Sequence, residues 1–371
     1  AGQPYRLVVR RFDPDGSPDR AFAGGAAALP ITPGRLTDGF VDRAGNLTGV
    51  GSLAGGRQGF VARLSPAGEP DAGFGAGGAV TWAALRSSDD RARLILPVAG
   101  GYLLAGGYDP DRVTPGSGSD YELALAKLGR GGARDARFGG SGTVFPGSRL
   151  HANPLVAGQA GRIVVVGRDR SVRPHSRVLM RLRPDGSPDR SFAPDGTRPL
   201  KLPAGFDPTM IGAGPGGTIL LGRPLTAGVR LMRLRADGRP DRSFGAGGTA
   251  RVRIARHDPR MATYTHLVGV DRRGRATIAI RLRRCSDRCR DRVEIVRLSR
   301  RGRIDRSFGR RGHRSLPGAR YEAAALDRAG RTVISARLCL RPPRGERCPT
   351  ARRVTVLDRR GRPDPSFGRG G

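Results

Sequence analysis

Long apolar runs are missing from this chain of 371 residues. Its apolar stretches are short, such as Ile163 to Val166, and fall well below the roughly 18 residues that a helix needs to cross a bilayer. Nowhere does an apolar pattern hold a helical period over several turns, which argues against a helical bundle and for an all-β chain. Aromatics are scarce at 5%, with one Trp. Binders of single-stranded nucleic acid interleave aromatic rings for stacking, and residues 251 to 371 hold only Tyr264, Phe308, Tyr321 and Phe367, so nucleic acid is not the expected partner. Lysine is almost absent: Lys127 and Lys201 are the only two among 67 basic residues. There are four cysteines and no initiator Met; the start at Ala1-Gly2-Gln3-Pro4 fits a mature product cut after a signal peptide, or a trimmed chain.

What is abundant is arginine, glycine and proline. Net charge is +35, a balance that suggests a polyanionic partner, although so lopsided an Arg bias also fits a GC-rich coding background. The distribution is more informative. Residues 251 to 371 carry 34 Arg against 11 acidic residues, which puts +23 of the net charge in the last third. With 58 Gly and 29 Pro, the chain is dense in turns.

The pattern Gly-x-x-Asp-x-x-Phe occurs seven times, and its last residues are Phe22, Phe74, Phe138, Phe192, Phe244, Phe308 and Phe367. Successive spacings of 52, 64, 54, 52, 64 and 59 residues suit one small antiparallel sheet per repeat. Gly16, Gly68, Gly132, Gly186, Gly238, Gly302 and Gly361 open the motif, where a tight or left-handed backbone excludes a Cβ. Asp19, Asp71, Asp135, Asp189, Asp241, Asp305 and Asp364 stand three residues before the Phe, placed to bond local N–H groups. The Phe is the expected apolar plug between sheets.

These motifs, read as DGSPDRSF at 185 to 192 and DGRPDRSFG at 237 to 245, resemble the bacterial delta-60 repeat proteins over essentially the whole chain. The resemblance implies a β-propeller, usually of exported proteins, and no established activity. Ala23 and Ala193 depart from the pattern, standing where Gly usually follows the Phe.

The expected fold is therefore one β-propeller domain over 1–371 with four-stranded antiparallel blades. Its repeat units are 22–64, 74–128, 138–182, 192–234, 244–298 and 308–357, with an extra strand at 5–12. Six blades is the preferred count; that strand either overlays a closing blade or is the remnant of a seventh. In this frame the signature motif joins the last strand of one blade to the first of the next. It shares a rim with turns such as Asp42 to Asn46 and Asp271 to Arg275, and the opposite rim carries inserts at 107–120, 282–291 and 339–351. Insertions gathered on one face of a repeat protein mark the expected binding face.

Cys285 and Cys289 flank one insert, and Cys339 and Cys348 flank the next. Two local disulfides are the favoured connectivity, pointing to an oxidising compartment and an extracellular or cell-surface location. C-x3-C with C-x8-C is not a zinc spacing, and no metal or cofactor is expected. Around the same inserts crowd Arg281, Arg283, Arg284, Arg288, Arg290 and Arg292, then Arg341, Arg344 and Arg347, a set able to hold phosphate, sulfate or carboxylate groups by bidentate pairing.

Other motifs carry little. Gly212, Gly214 and Gly217 match a dinucleotide fingerprint, but TILL at 218 to 221 reads as a strand where a helix is required. Asp13, Asp15 and Asp19 have calcium-loop spacing that the other copies do not keep. Asp109, Asp111 and Asp120 beside Tyr108 and Tyr121 could serve a sugar site. The functional expectation is a non-catalytic, monomeric, exported binding or scaffold module whose partner is a polyanion or glycan. A carbohydrate-acting propeller enzyme and a passive structural repeat are the alternatives.

Overall fold

The computed structural model describes residues 7–31, 35–53, 58–82, 91–108, 122–146, 155–169, 176–254, 262–284, 290–327, 329–339 and 350–368. The chain divides into two compact units: 1–13 with 17–201, and 14–16 with 202–371.

In the first unit, β1 (Val8–Val9) pairs with β2 (Ala27–Ala28) as a two-stranded ribbon. Three four-stranded meanders follow. They are β3 (Arg35–Val41), β4 (Leu47–Ser52), β5 (Gly59–Leu64) and β6 (Ala79–Trp82); β7 (Arg91–Val98), β8 (Gly101–Tyr108), β9 (Glu122–Gly129) and β10 (Thr143–Val144); and β11 (Leu155–Gln159), β12 (Arg162–Asp169), β13 (Ser176–Leu182) and β14 (Thr197–Pro199). The second unit holds β15 (Met210–Ala213), β16 (Ile219–Leu225), β17 (Gly228–Leu234) and β18 (Thr249–Arg253), then β19 (Ala262–Val270), β20 (Ala276–Arg284), β21 (Arg290–Leu298) and β22 (His313–Pro317). Its last sheet has three strands, β23 (Ala319–Leu326), β24 (Thr332–Cys339) and β25 (Thr350–Leu357). All pairings are antiparallel between chain neighbours, and the fold is of the six-bladed β-propeller class, with three blades in each unit.

The sheets take their strands one step out of phase with the expected repeat. Val61 pairs with Val80 and Ala62 with Ala79, so the motif ending at Phe74 lies inside a sheet, between its third and fourth strands. The cause is local. Phe74 is followed by glycines at positive φ, the Gly78 N–H donates to Phe74 O at 3.0 Å, and the chain doubles back onto the strand it has just left. By the same phase, residues 27–28 complete the ribbon begun by the extra strand at 5–12 instead of opening the next sheet.

The motif phenylalanines form the core between successive sheets. Phe74 packs with Val50, Val61, Ile95 and Leu104, Phe244 with Val252, Ile278 and Ile280, and Phe308 with Ile295 and Ile334. Six of the seven are at most 2% exposed, while Phe367 is half-buried. The opening glycine is dictated by what it touches. A Cβ on Gly302 would stand 2.9 Å from Gly245 N and 3.0 Å from the Phe244 ring, so neighbouring motifs approach too closely for any side chain there. Among the described residues no helix is long and apolar enough to cross a membrane.

Candidate functional site: arginine latches and an arginine-lined sheet end

In each motif the Asp does two tasks. Its Oδ1 accepts the N–H two residues on, from Gly73 at 2.9 Å, from Ser243 at 3.1 Å and from Ser307 at 3.1 Å. Its Oδ2 takes a basic side chain from the preceding strand, eleven residues before the Phe. Arg11, Arg63, Arg181, Arg233 and Arg297 reach Asp19, Asp71, Asp189, Asp241 and Asp305 at 2.5 to 2.8 Å. The same guanidinium lies over the motif Phe, 4.6 to 4.8 Å from the ring centre at Phe22, Phe74, Phe192, Phe244 and Phe308. Arg11, Arg63, Arg233 and Arg297 also donate through Nη1 to a backbone carbonyl before the next motif: Pro66, Arg130, Arg300 and Arg359. One side chain therefore binds carboxylate, ring and the adjoining repeat at once, a use that suits the planar fork of Arg.

The last copy is built differently. Val356 stands where the others have a cation, and Arg331 from another turn reaches Asp364 at 3.1 Å. In the fourth copy Arg162 joins Arg181 on Asp189 at 3.0 Å. The hydroxyl of Ser191, then the two arginines, hold Asp189 down at about 2. Burial works against the charged form at Asp241 and Asp305, but the Ser243 and Ser307 bonds and the paired arginines outweigh it, and both carboxyls sit below their ordinary value. Burial, and then the charge of Arg275, draws Arg297 below its ordinary value as well. Sequence reasoning missed these latches, which give a handful of the arginines a structural use. The signal was an Arg eleven residues before the Phe, followed by Leu in four of these five copies.

The residues singled out as anion-binding divide between described and undescribed segments. Arg281 and Arg283 lie on β20, and the hairpin to β21 pairs Arg283 with Asp291 and Arg284 with Arg290. Arg284 and Arg290 are described in backbone only. Arg288, Arg341, Arg344, Arg347, Cys285, Cys289 and Cys348 lie outside the described residues, as do Asp109, Asp111 and Asp120; Cys339 ends β24, and its side chain is likewise outside them. The two second-unit inserts both join the second and third strands of their sheets.

By register, Arg281, Arg283, Asp291 and Arg314 share one face of the β19 to β22 sheet. Arg281 lies over Tyr264 at 5.5 Å and pairs with Asp291 at 3.5 Å. Its Nε, and Nε of Arg314, are buried without a hydrogen-bond acceptor among the described residues, while its Nη2 has the ion pair with Asp291 Oδ1, itself without a hydrogen bond there. His266, next along that face, stacks on Tyr321 at 4.5 Å; its burial, then the Arg281 charge, hold it below its ordinary value. Burial pushes Tyr321 up to about 12. The dinucleotide-like glycines sit between β15 and β16, a strand-to-strand turn with no helix behind it. No cluster of metal ligands occurs among the described residues.

A family model described as "Domain of unknown function (DUF5122) beta-propeller" matches residues 1–22 and 161–192, and both segments end on a motif Phe. No curated protein matches. Among solved structures, the chain is similar to prolyl oligopeptidase B from Galerina marginata bound to a macrocyclization substrate, with 12% identity, a TM-score of 0.46, and coverage of 87% of this chain and 40% of that one. A hypothetical protein from Leishmania major gives 9% identity and a TM-score of 0.32, over 66% of this chain and 78% of that one. A eukaryotic initiation factor gives 11% identity and a TM-score of 0.34, over 96% and 72%. The chain thus spans well under half the length of the oligopeptidase, and the family match supports a repeat family of the bacterial β-propeller type.

Proposed function

We propose that the protein is a non-catalytic binding or scaffold module, exported from the cell, that holds an anionic envelope or extracellular polymer at the arginine-lined end of the β19 to β22 sheet. The observation that carries this reading is that Nε of Arg281 and Nε of Arg314 are buried without an acceptor among the described residues. A buried donor left unpaired is costly, and sulfate, phosphate or carboxylate oxygens are the acceptors that a face with three arginines and one Asp would recruit. In sequence, the insert that joins β20 to β21 adds further arginines, Arg284, Arg288 and Arg290. The β-propeller fold suits a binding or scaffold role in general, and the four cysteines, all in two second-unit inserts, support an oxidising compartment.

The test is a titration with heparin as probe, at low and at near-physiological salt. Wild type is expected to bind, with affinity falling as salt screens the contact, and Arg281→Ala/Arg283→Ala to bind about tenfold more weakly. Equal binding by the double variant overturns the site. Four free thiols in the purified extracellular protein would remove the support for export.

A further inference from the structure

Lys127 is the one lysine in a register that five of the other six copies give to arginine. It stands eleven residues before Phe138, as Arg63 does before Phe74 and Arg181 before Phe192, and its Nζ pairs with Asp135 at 3.0 Å. The backbone of the neighbouring repeat is where the other copies have it, since the Gly139 N–H donates to Asp185 O at 2.8 Å, matching Gly75 to Gly131 O at 2.8 Å. What differs is the side-chain strut. In four other copies a guanidinium nitrogen continues to the carbonyl two residues before the next motif glycine; here that position is Pro184, and among the described residues Lys127 Nζ has Asp135 alone.

A cleft of about 620 Å³ opens at this place, within the first unit. Lys127 and Pro184 are both in its wall, together with apolar Val98, Leu103 and Ile163. At its mouth are two exposed arginines, Arg43 and Arg130, without an ion-pair partner among the described residues. The turn along its edge carries Ala160 at a φ of 45°, one of three non-glycine residues in the left-handed region among the described residues. Backbone held there costs free energy, and such residues gather at ligand sites. The volume falls in the range of small-molecule pockets, which pair an apolar lining with a few placed charges.

We propose that the Arg-to-Lys exchange at position 127 turns a structural latch into a binding site for a small organic anion, whose apolar body lies against Val98, Leu103 and Ile163 and whose acidic group is held by Arg43 and Arg130. The site is separate from the second-unit face and does not depend on the reading given for it.

Anilinonaphthalene sulfonate, an anion on an apolar ring system, is a suitable probe. Wild type is expected to show saturable single-site fluorescence enhancement. Lys127→Arg rebuilds the strut toward Pro184 O and carries a guanidinium across the cleft between these two lining residues, so it is expected to weaken that binding at least about tenfold, with a Tm at or above wild type. Arg43→Gln/Arg130→Gln leaves the cleft open and removes the charges at its mouth, and is expected to weaken the probe by a similar factor. Undiminished binding by either folded variant overturns the proposal, as does a wild type without a saturable site. Should Lys127→Arg not fold, the double glutamine variant decides alone.

Discussion

Replacing Arg297 by Ala is expected to cost about 3 to 5 kcal/mol, the range for removing one partner of a buried ion pair. Its side chain is 4% exposed, and three partners lose it together: Asp305 at 2.8 Å, the Phe308 ring at 4.6 Å and the carbonyl of Arg359. Asp305 would be left half-enclosed, with Arg275 at 3.9 Å as a remote counter-charge. Arg297→Lys should recover part of the loss, because an ammonium reaches one acceptor where the guanidinium reaches several. Arg137→Ala is the control. Arg137 also touches a motif Asp, at 3.2 Å, but its side chain is 92% exposed, and removing it should change little. Urea unfolding of the three variants checks the ordering, and an Arg297→Ala loss no larger than that of Arg137→Ala would refute the latch.

The same latches give the fold an acid limit. Asp189 is held at about 2 against an ordinary value of 3.8, and Asp241, Asp305 and Asp364 are also held low. A carboxyl depressed in the folded state binds fewer protons there than in the unfolded chain. Its stabilisation is complete above the ordinary carboxylate value and drains away as pH falls through that value toward the folded one. Unfolding midpoints should therefore be level near neutrality and drop below about pH 4, more gently in Asp189→Asn, which has already lost the contribution.

Much of this architecture was legible because each recurring motif residue answers to a single constraint. Phe fills a core, Gly passes a neighbouring backbone and Asp bonds an N–H two positions on; none depends on distant sequence. The phase of the sheets was not legible. Short strands such as Thr143–Val144 flank the motif, and the pattern of apolar residues does not say whether the chain leaves a sheet after Phe138 or folds back upon it. Only the turn settles that. The arginine latch was written in the chain at a fixed distance from each Phe, yet it was hidden among arginines that have no such partner. At Arg281 the strand could be read, but its company could not, since that depends on which face of the sheet Asp291 and Arg314 share.

The turn after the Phe carries the other large effect, and Gly245→Ala is expected to cost about 3 kcal/mol or more, through backbone strain and overlap together. Gly245 sits at a φ of 61°, and a Cβ there would stand 1.9 Å from Thr249 O and 2.6 Å from its carbon, both main-chain atoms that cannot rotate away. Gly247, two residues on and at a φ of 59°, has nothing within 4 Å of its Cβ direction. Alanine there should cost only about 1 kcal/mol, the left-handed penalty without the overlap. The chain contains its own precedents. Ala23 occupies the equivalent place at a φ of 45°, keeps the bond from its N–H to the Ala67 carbonyl at 2.8 Å, and is followed by two glycines that open a different turn. Ala193 avoids the left-handed region, and the reversal passes to Gly196, whose N–H donates to Ala193 O at 2.8 Å. Alanine after the Phe is thus accepted only where the following residues re-route the chain, and Ala246-Gly247-Gly248 keep the tight form, with the Ala246 N–H on Thr249 O at 2.7 Å. If urea unfolding put Gly245→Ala within about 1 kcal/mol of Gly247→Ala, that turn would have to relax as the first copy does, and the glycine would be a convenience of the tight form instead of its requirement.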